Sequence, residues 1–176
     1  SSVADDDTTA ADDDDDDVVA WEGEYGVVRI CGSAGGDPGN PGPDVDAIEV
    51  RRDTTSIGWA DLVEASSVPT SGNGHPDPEQ ALGEADTLFV SVGDAGSYLD
   101  LTLALGVEQG DLDDTLIPGD LMTIHELDDG SGDEETYKVL VSVDGTPGTW
   151  VITETATGTW AVVVHAPTSY MEGCGG

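Results

Sequence analysis

Tyr98-Leu99-Asp100-Leu101-Thr102-Leu103-Ala104-Leu105 sets a leucine at every second position for eight residues. Successive side chains of a strand point to opposite faces, so this period puts four leucines on one buried face and Tyr98, Asp100, Thr102 and Ala104 on the other. A helix would scatter the same leucines around its circumference. The stretch therefore reads as a half-buried strand, and its neighbours read alike. Leu88 to Val92 is a short apolar run. Leu121 to Leu127 and Thr136 to Val143, with Tyr137, Val139, Val141 and Val143 on one face, flank the polar loop Asp128 to Glu135 as an expected hairpin. Thr149 to Thr155 and Thr159 to His165 flank Ala156-Thr157-Gly158 as an expected second hairpin.

Upstream the pattern is more broken. Val18 to Ile30 is apolar and β-branched (Val18, Val19, Trp21, Tyr25, Val27, Val28, Ile30), with Gly23 and Gly26 dividing it into two short strands or one bulged strand. A Gly/Pro/Asn-rich loop from Gly32 to Pro43 precedes a short strand over Val45 to Arg51. Trp59 to Ala65 fits either a helical turn or an irregular segment, and Ser66 to His75 reads as loop. Asp77-Pro78-Glu79-Gln80 combines an N-cap, a proline at the first helical position and a capping-box glutamine, which predicts a short helix to about Gly83. Seven or eight strands with one short helix imply a mainly β, antiparallel fold: a β-sandwich of jelly-roll or Ig-like type, or a partly closed barrel. Trp150, Trp160 and Phe89 are the expected large core anchors. The chain divides into an acidic N-terminal tail, residues 1–17, and a single β-rich domain, residues 18–176.

Charge sets the environment. The chain has 38 Asp and Glu against four Lys and Arg, a formal net charge of −34. Nine of the aspartates fall in residues 1–17, and the remainder still holds 29 acidic residues against four basic ones, a net of −25. Self-repulsion on this scale opposes compaction in dilute buffer. At multimolar salt the screening length falls to about 3 Å or less and most exposed charges cease to feel one another. Lys138 is the single lysine, and aspartate outnumbers glutamate. In these respects the composition resembles that of secreted or virion structural proteins of extremely halophilic archaea. The resemblance implies an extracellular or virion location and hydrated cations (Ca²⁺, Mg²⁺, K⁺ or Na⁺) at the surface. With 37% hydrophobic residues in alternating runs, a folded core is expected rather than a disordered acidic chain.

Composition also excludes partners. Phosphate neutralisation needs clustered Lys and Arg, and only Arg51 and Arg52 are adjacent, so nucleic acid is not an expected partner. No stretch is long and apolar enough for a helical membrane span. His75, His125 and His165 lie in separate segments without a second His or a Cys at metal-ligand spacing. Gly-x-Ser-x-Gly in a strand-turn-helix setting is missing, and the glycines at 35 and 36 lack the lysine and helix of a phosphate loop. No catalytic set and no required cofactor are expected.

Two acidic loops carry enough oxygen ligands to attract a hard cation such as Ca²⁺ or Mg²⁺. One comprises Asp128, Asp129, Ser131, Asp133, Glu134 and Glu135; the other Asp37, Asn40, Asp44 and Asp46. Neither has EF-hand spacing, and in so acidic a chain both read first as solvated loops. Cys31 and Cys174, at opposite ends of the domain and outside any Cys-x-x-Cys motif, are expected to form a disulfide, which places the protein outside the cytoplasm.

These features point to a non-enzymatic subunit that assembles with copies of itself, and with other surface or virion proteins, into an extracellular pilus-like filament or a virion. A secreted β-sandwich module that recognises a carbohydrate or surface partner is the alternative. The apolar segment Val18 to Ile30 is either an internal first strand or a strand donated to a neighbour's sheet.

Overall fold

The structure is a computed structural model that describes residues 24–34, 36–37, 39–111, 114–127 and 135–175. Among the described residues eleven strands follow one another: β1 (Val27–Cys31), β2 (Gly36–Asp37), β3 (Asn40–Pro41), β4 (Asp44–Arg52), β5 (Thr55–Ser66), β6 (Val90–Ser91), β7 (Tyr98–Leu105), β8 (Leu121–Glu126), β9 (Thr136–Ser142), β10 (Val151–Thr157) and β11 (Trp160–Val163). β2 and β3 form a separate two-stranded ribbon. All the others belong to one antiparallel sheet in the order β10-β9-β1-β7-β5-β4-β8-β11, with β6 beside β4. The two end strands, β10 and β11, come back together, so the sheet curls into a nearly closed barrel.

Strand alternation decides what fills it. Leu99, Leu101 and Leu105 of β7 face a core built with Val28 and Ile30, Ile48 and Val50, Met122 and Ile124, and Val139 and Val141. Leu103 packs against the same core from a half-buried position. The segment around Val27 to Ile30 is an internal strand, held between β7 and β9 of its own chain. Tyr25 continues it by a bridge to Leu116. Val18, Val19, Trp21 and residues 1–17 lie outside the described residues.

Neither expected hairpin forms. β8 pairs with β4 and β11, and β9 with β1 and β10, so these two strands lie near opposite ends of the sheet order and are not partners. Ala156-Thr157-Gly158 crosses between the two free ends of the sheet. Periodicity marks a strand and its buried face but carries no information about which strand lies beside it. Trp59 to Ala65 lies within the twelve-residue strand β5, where register shifts at Ala60/Leu62 and Val63/Ala65 break the alternation that would have revealed it.

The expected helix is one 3₁₀ turn, Pro78–Ala81. Asp77 caps it, accepting from the Glu79 amide at 3.0 Å and from Gln80 Nε2 at 3.2 Å. It ends at once because Leu82 is extended and the Gly83 amide bonds back to the Ala60 carbonyl at 2.8 Å. Of the expected anchors, Trp150 is fully buried, Trp160 is 42% exposed, and Phe89 is half-buried with its ring stacked on His75 at 4.0 Å.

Outside the barrel wall a second, smaller cluster joins Val27, Cys31, Leu140 and Trp150, with Met171 and Cys174 packed on it. Arg29 lies among them. Its guanidinium makes two bonds to Asp100, at 2.6 and 2.7 Å, and sits 4.0 Å over the Tyr98 ring and 4.3 Å over Trp150. Both side chains are nearly shut off from solvent, and burial pushes the Asp100 carboxyl above its ordinary range against the pull of Arg29. Removing one partner of such a pair strands the other charge, so Arg29→Ala should cost roughly 3 kcal/mol or more. Arg29→Met combined with Asp100→Leu should recover much of that loss; denaturant unfolding of the three chains checks both statements.

Candidate functional site

The arginines, the carriers of most anion chemistry, are used inside the fold. Arg52 binds Asp114 and Asp120 at 2.8–2.9 Å and the Thr115 carbonyl at 2.9 Å. Arg51 lies 3.3 Å from Glu49. With Arg29 on Asp100, all three arginines face carboxylates of their own chain.

The histidines stay apart. His75 stacks on Phe89; His125 approaches Glu49 at 3.8 Å and the Trp59 ring at 5.9 Å; the His165 carbonyl accepts the Tyr25 hydroxyl at 2.8 Å. Burial pushes the Tyr25 phenol up to about 12, so it serves as a donor.

The acidic loops resolve differently. In the first, Asp128, Asp129 and Asp133, with Ser131 and Glu134, lie outside the described residues. Its last member, Glu135, meets a buried carboxyl at one end of the barrel. β8 alternates Met122, Ile124 and Glu126 on its inner face, so Glu126 enters the core, where it is 6% exposed. It accepts the Asp44 amide at 3.4 Å. In the second set, Asp37 falls on β2 and Asn40 on β3, while Asp44 bonds the Ser91 hydroxyl. Asp46, buried, accepts the amides of Asp86 and Thr87, both at 3.1 Å, and so holds Thr87 at a φ of 74°, a conformation rare for a β-branched residue. Among the described residues no three His, Cys, Asp or Glu side chains converge to hold a metal.

Burial, and then a hydrogen bond shared with Glu135, push Glu126 up to about 9 although the Asp44 amide pulls the other way. The folded chain therefore keeps a proton that the unfolded chain releases from its ordinary value of 4.5 upward. Stability from this group is complete below that value and is lost as pH rises through about 9. Glu126→Gln, which mimics the protonated form, should unfold like the parent near about pH 5 and be the more stable chain near about pH 9. Denaturant midpoints at the two pH values measure this, and an unchanged pH dependence would contradict it.

Cys31 and Cys174 are bonded, with Cα atoms 5.6 Å apart and a sequence separation of 143. The bond fastens the C-terminal segment over the Arg29–Trp150 stack, where Met171 and Trp150 also exchange backbone bonds at 2.7 and 3.2 Å.

The most distinctive surface is the seam of the barrel. Among the described residues β10 pairs only with β9 and β11 only with β8, so no ladder joins the two strands that face each other there. They are linked near the Gly158 turn, where Trp160 Nε1 donates to Glu154 at 3.2 Å and Tyr137 donates to the Gly158 carbonyl at 2.6 Å. Ile152, Trp160 and Val163 on these two strands are 40–42% exposed. Tyr25, Val27, Val28 and Ile30 are buried and not part of this surface. Nothing in the sequence marked the seam, because β10 and β11 look like partners of one hairpin until their true neighbours are known. Comparison with protein-family models, curated proteins and solved structures finds no match to this chain.

Proposed function

We propose that this chain is a non-enzymatic structural subunit that assembles with copies of itself, in an extracellular filament of a halophilic archaeon or in the virion of one of its viruses. The observation that carries the reading is the unclosed seam. Among the described residues no ladder joins these two adjacent strand edges, and folded chains ordinarily blunt or cover edges of this kind. Here they bear Ile152, Trp160 and Val163 instead of lysine or proline. A strand from a second copy would satisfy the edge and bury those side chains. Head-to-tail addition of this kind does not close on itself and builds an open polymer. Copies of net charge −34 can approach in multimolar salt, where screening removes their long-range repulsion.

Substituting Trp160→Asp together with Ile152→Asp places charge at the proposed interface on side chains that already reach solvent, so the fold should survive. In about 3 M salt the parent chain should sediment as assemblies and the variant as a monomer. Equal sedimentation of the two would remove the seam from the proposal.

A second reading, a secreted module that binds a carbohydrate or surface partner, draws on one open cleft of about 500 Å³ beside β5. Trp59, Asp61 and Glu108 are among its walls, an aromatic face with carboxylates of the sort that sugar rings stack and bond on. Trp59→Ala should abolish retention on a glycan array if that reading holds and leave assembly untouched if the first one does.

A further inference from the structure

Lys138 stands out among the basic residues. It is the single lysine of a chain with 38 acidic residues, yet among the described residues it pairs with no carboxylate. Its ammonium reaches one backbone oxygen, that of Cys174, at 3.4 Å. An ammonium carries three donors, so among the described residues two are without a partner.

The surroundings explain the isolation. Lys138 lies on the wall of an open hollow of about 380 Å³, formed where β9 and β10 meet the loop after β1 and the C-terminal segment. Cys31, Ser33, Gly96, Thr136 and Gly175 also line it, and its described lining contains no Asp or Glu. Two nearby acidic side chains bond elsewhere: Glu135, beside Thr136, to Glu126, and Glu154, beside Thr155, to Trp160. The Cys31–Cys174 bond fixes two sides of the hollow against each other. A second observation comes from Ser33, whose Oγ is shut off from solvent and has no hydrogen-bond partner among the described residues. Buried hydroxyls are ordinarily bonded, and Ser33 is itself among the residues that line the hollow.

We propose that this hollow is a carboxylate-binding site, in which Lys138 supplies the charge and Ser33 a hydroxyl donor. A charge-assisted bond from ammonium to carboxylate is about twice as strong as a neutral one. The long-range repulsion that so acidic a chain exerts on an anion is screened at high salt, so local complementarity decides binding. The carboxylate can come from a free small acid or from an aspartate of another copy, whose Asp12 to Asp17 run supplies six in succession. The site stands independently of the assembly reading.

The test is a nuclear magnetic resonance titration of the ¹⁵N-labelled full chain, with sodium acetate replacing sodium chloride at constant ionic strength. Saturable shifts at the amides of Ser33, Gly96, Lys138 and Gly175 are expected, and Lys138→Met should abolish them. A peptide of residues Ser1 to Asp17 forms the second arm. Saturation at a concentration about tenfold or more below that of acetate assigns the site to the acidic segment of another copy, and weaker binding assigns it to free carboxylates. Shifts that never saturate, or that persist unchanged in Lys138→Met, overturn the proposal.

Discussion

Dialysis from about 3 M to about 0.1 M salt should abolish the β-sheet circular dichroism of this chain. The domain beyond residue 17 carries a net charge of −25, and the three arginines are already bound to carboxylates within the fold. Surface carboxylates therefore have few local countercharges and depend on the solvent. Lengthening the screening length from about 3 Å or less to about 10 Å raises the self-energy of the compact chain by on the order of 10 kcal/mol more than that of the expanded one. Single domains have only about 5–15 kcal/mol to lose. Unchanged spectra at low salt would mean that the charge is tolerated without screening and would remove the halophilic environment from the proposed function.

Replacing both cysteines, Cys31→Ser with Cys174→Ser, should lower stability by about 5 kcal/mol in the chain-entropy picture, because the bond closes a loop of 143 residues. For a domain of this length that corresponds to a fall of about 10–20 °C in Tm. The loss has a local side as well. Without the bond, the described contacts that hold Met171 and Cys174 over Trp150 and Arg29 are the backbone bonds of Met171, the Lys138 contact and their apolar packing. Trp150 fluorescence should therefore shift toward that of a solvated indole before the barrel itself unfolds. A loss below about 1 kcal/mol would show that those backbone bonds suffice and that the unfolded chain gains little freedom when the loop is opened.

The leucine period of β7 was legible because one buried face leaves a strict mark, and the same holds for the inner faces of β8 and β9. Trp59 to Ala65 was not, because two bulges cancel the period of β5. The neighbours of β8, β9, β10 and β11 were hidden for a different reason: short connections favour hairpins, and here the strands they join are not ladder partners. Arg29 gave no sign of its role, since its partners Asp100, Tyr98 and Trp150 are distant in sequence. Glu126 could have been flagged, as it shares the period of Met122 and Ile124. The isolation of Lys138 could be read only as scarcity. That no carboxylate lines its hollow depends on how β9, β10 and the C-terminal segment meet.

Self-assembly is tested most directly by electron microscopy of the purified full chain in about 3 M salt, with sedimentation of the same sample. Filaments or closed particles that disperse in the Trp160→Asp, Ile152→Asp variant are the expected result, and a uniform monomer at every protein concentration would contradict it.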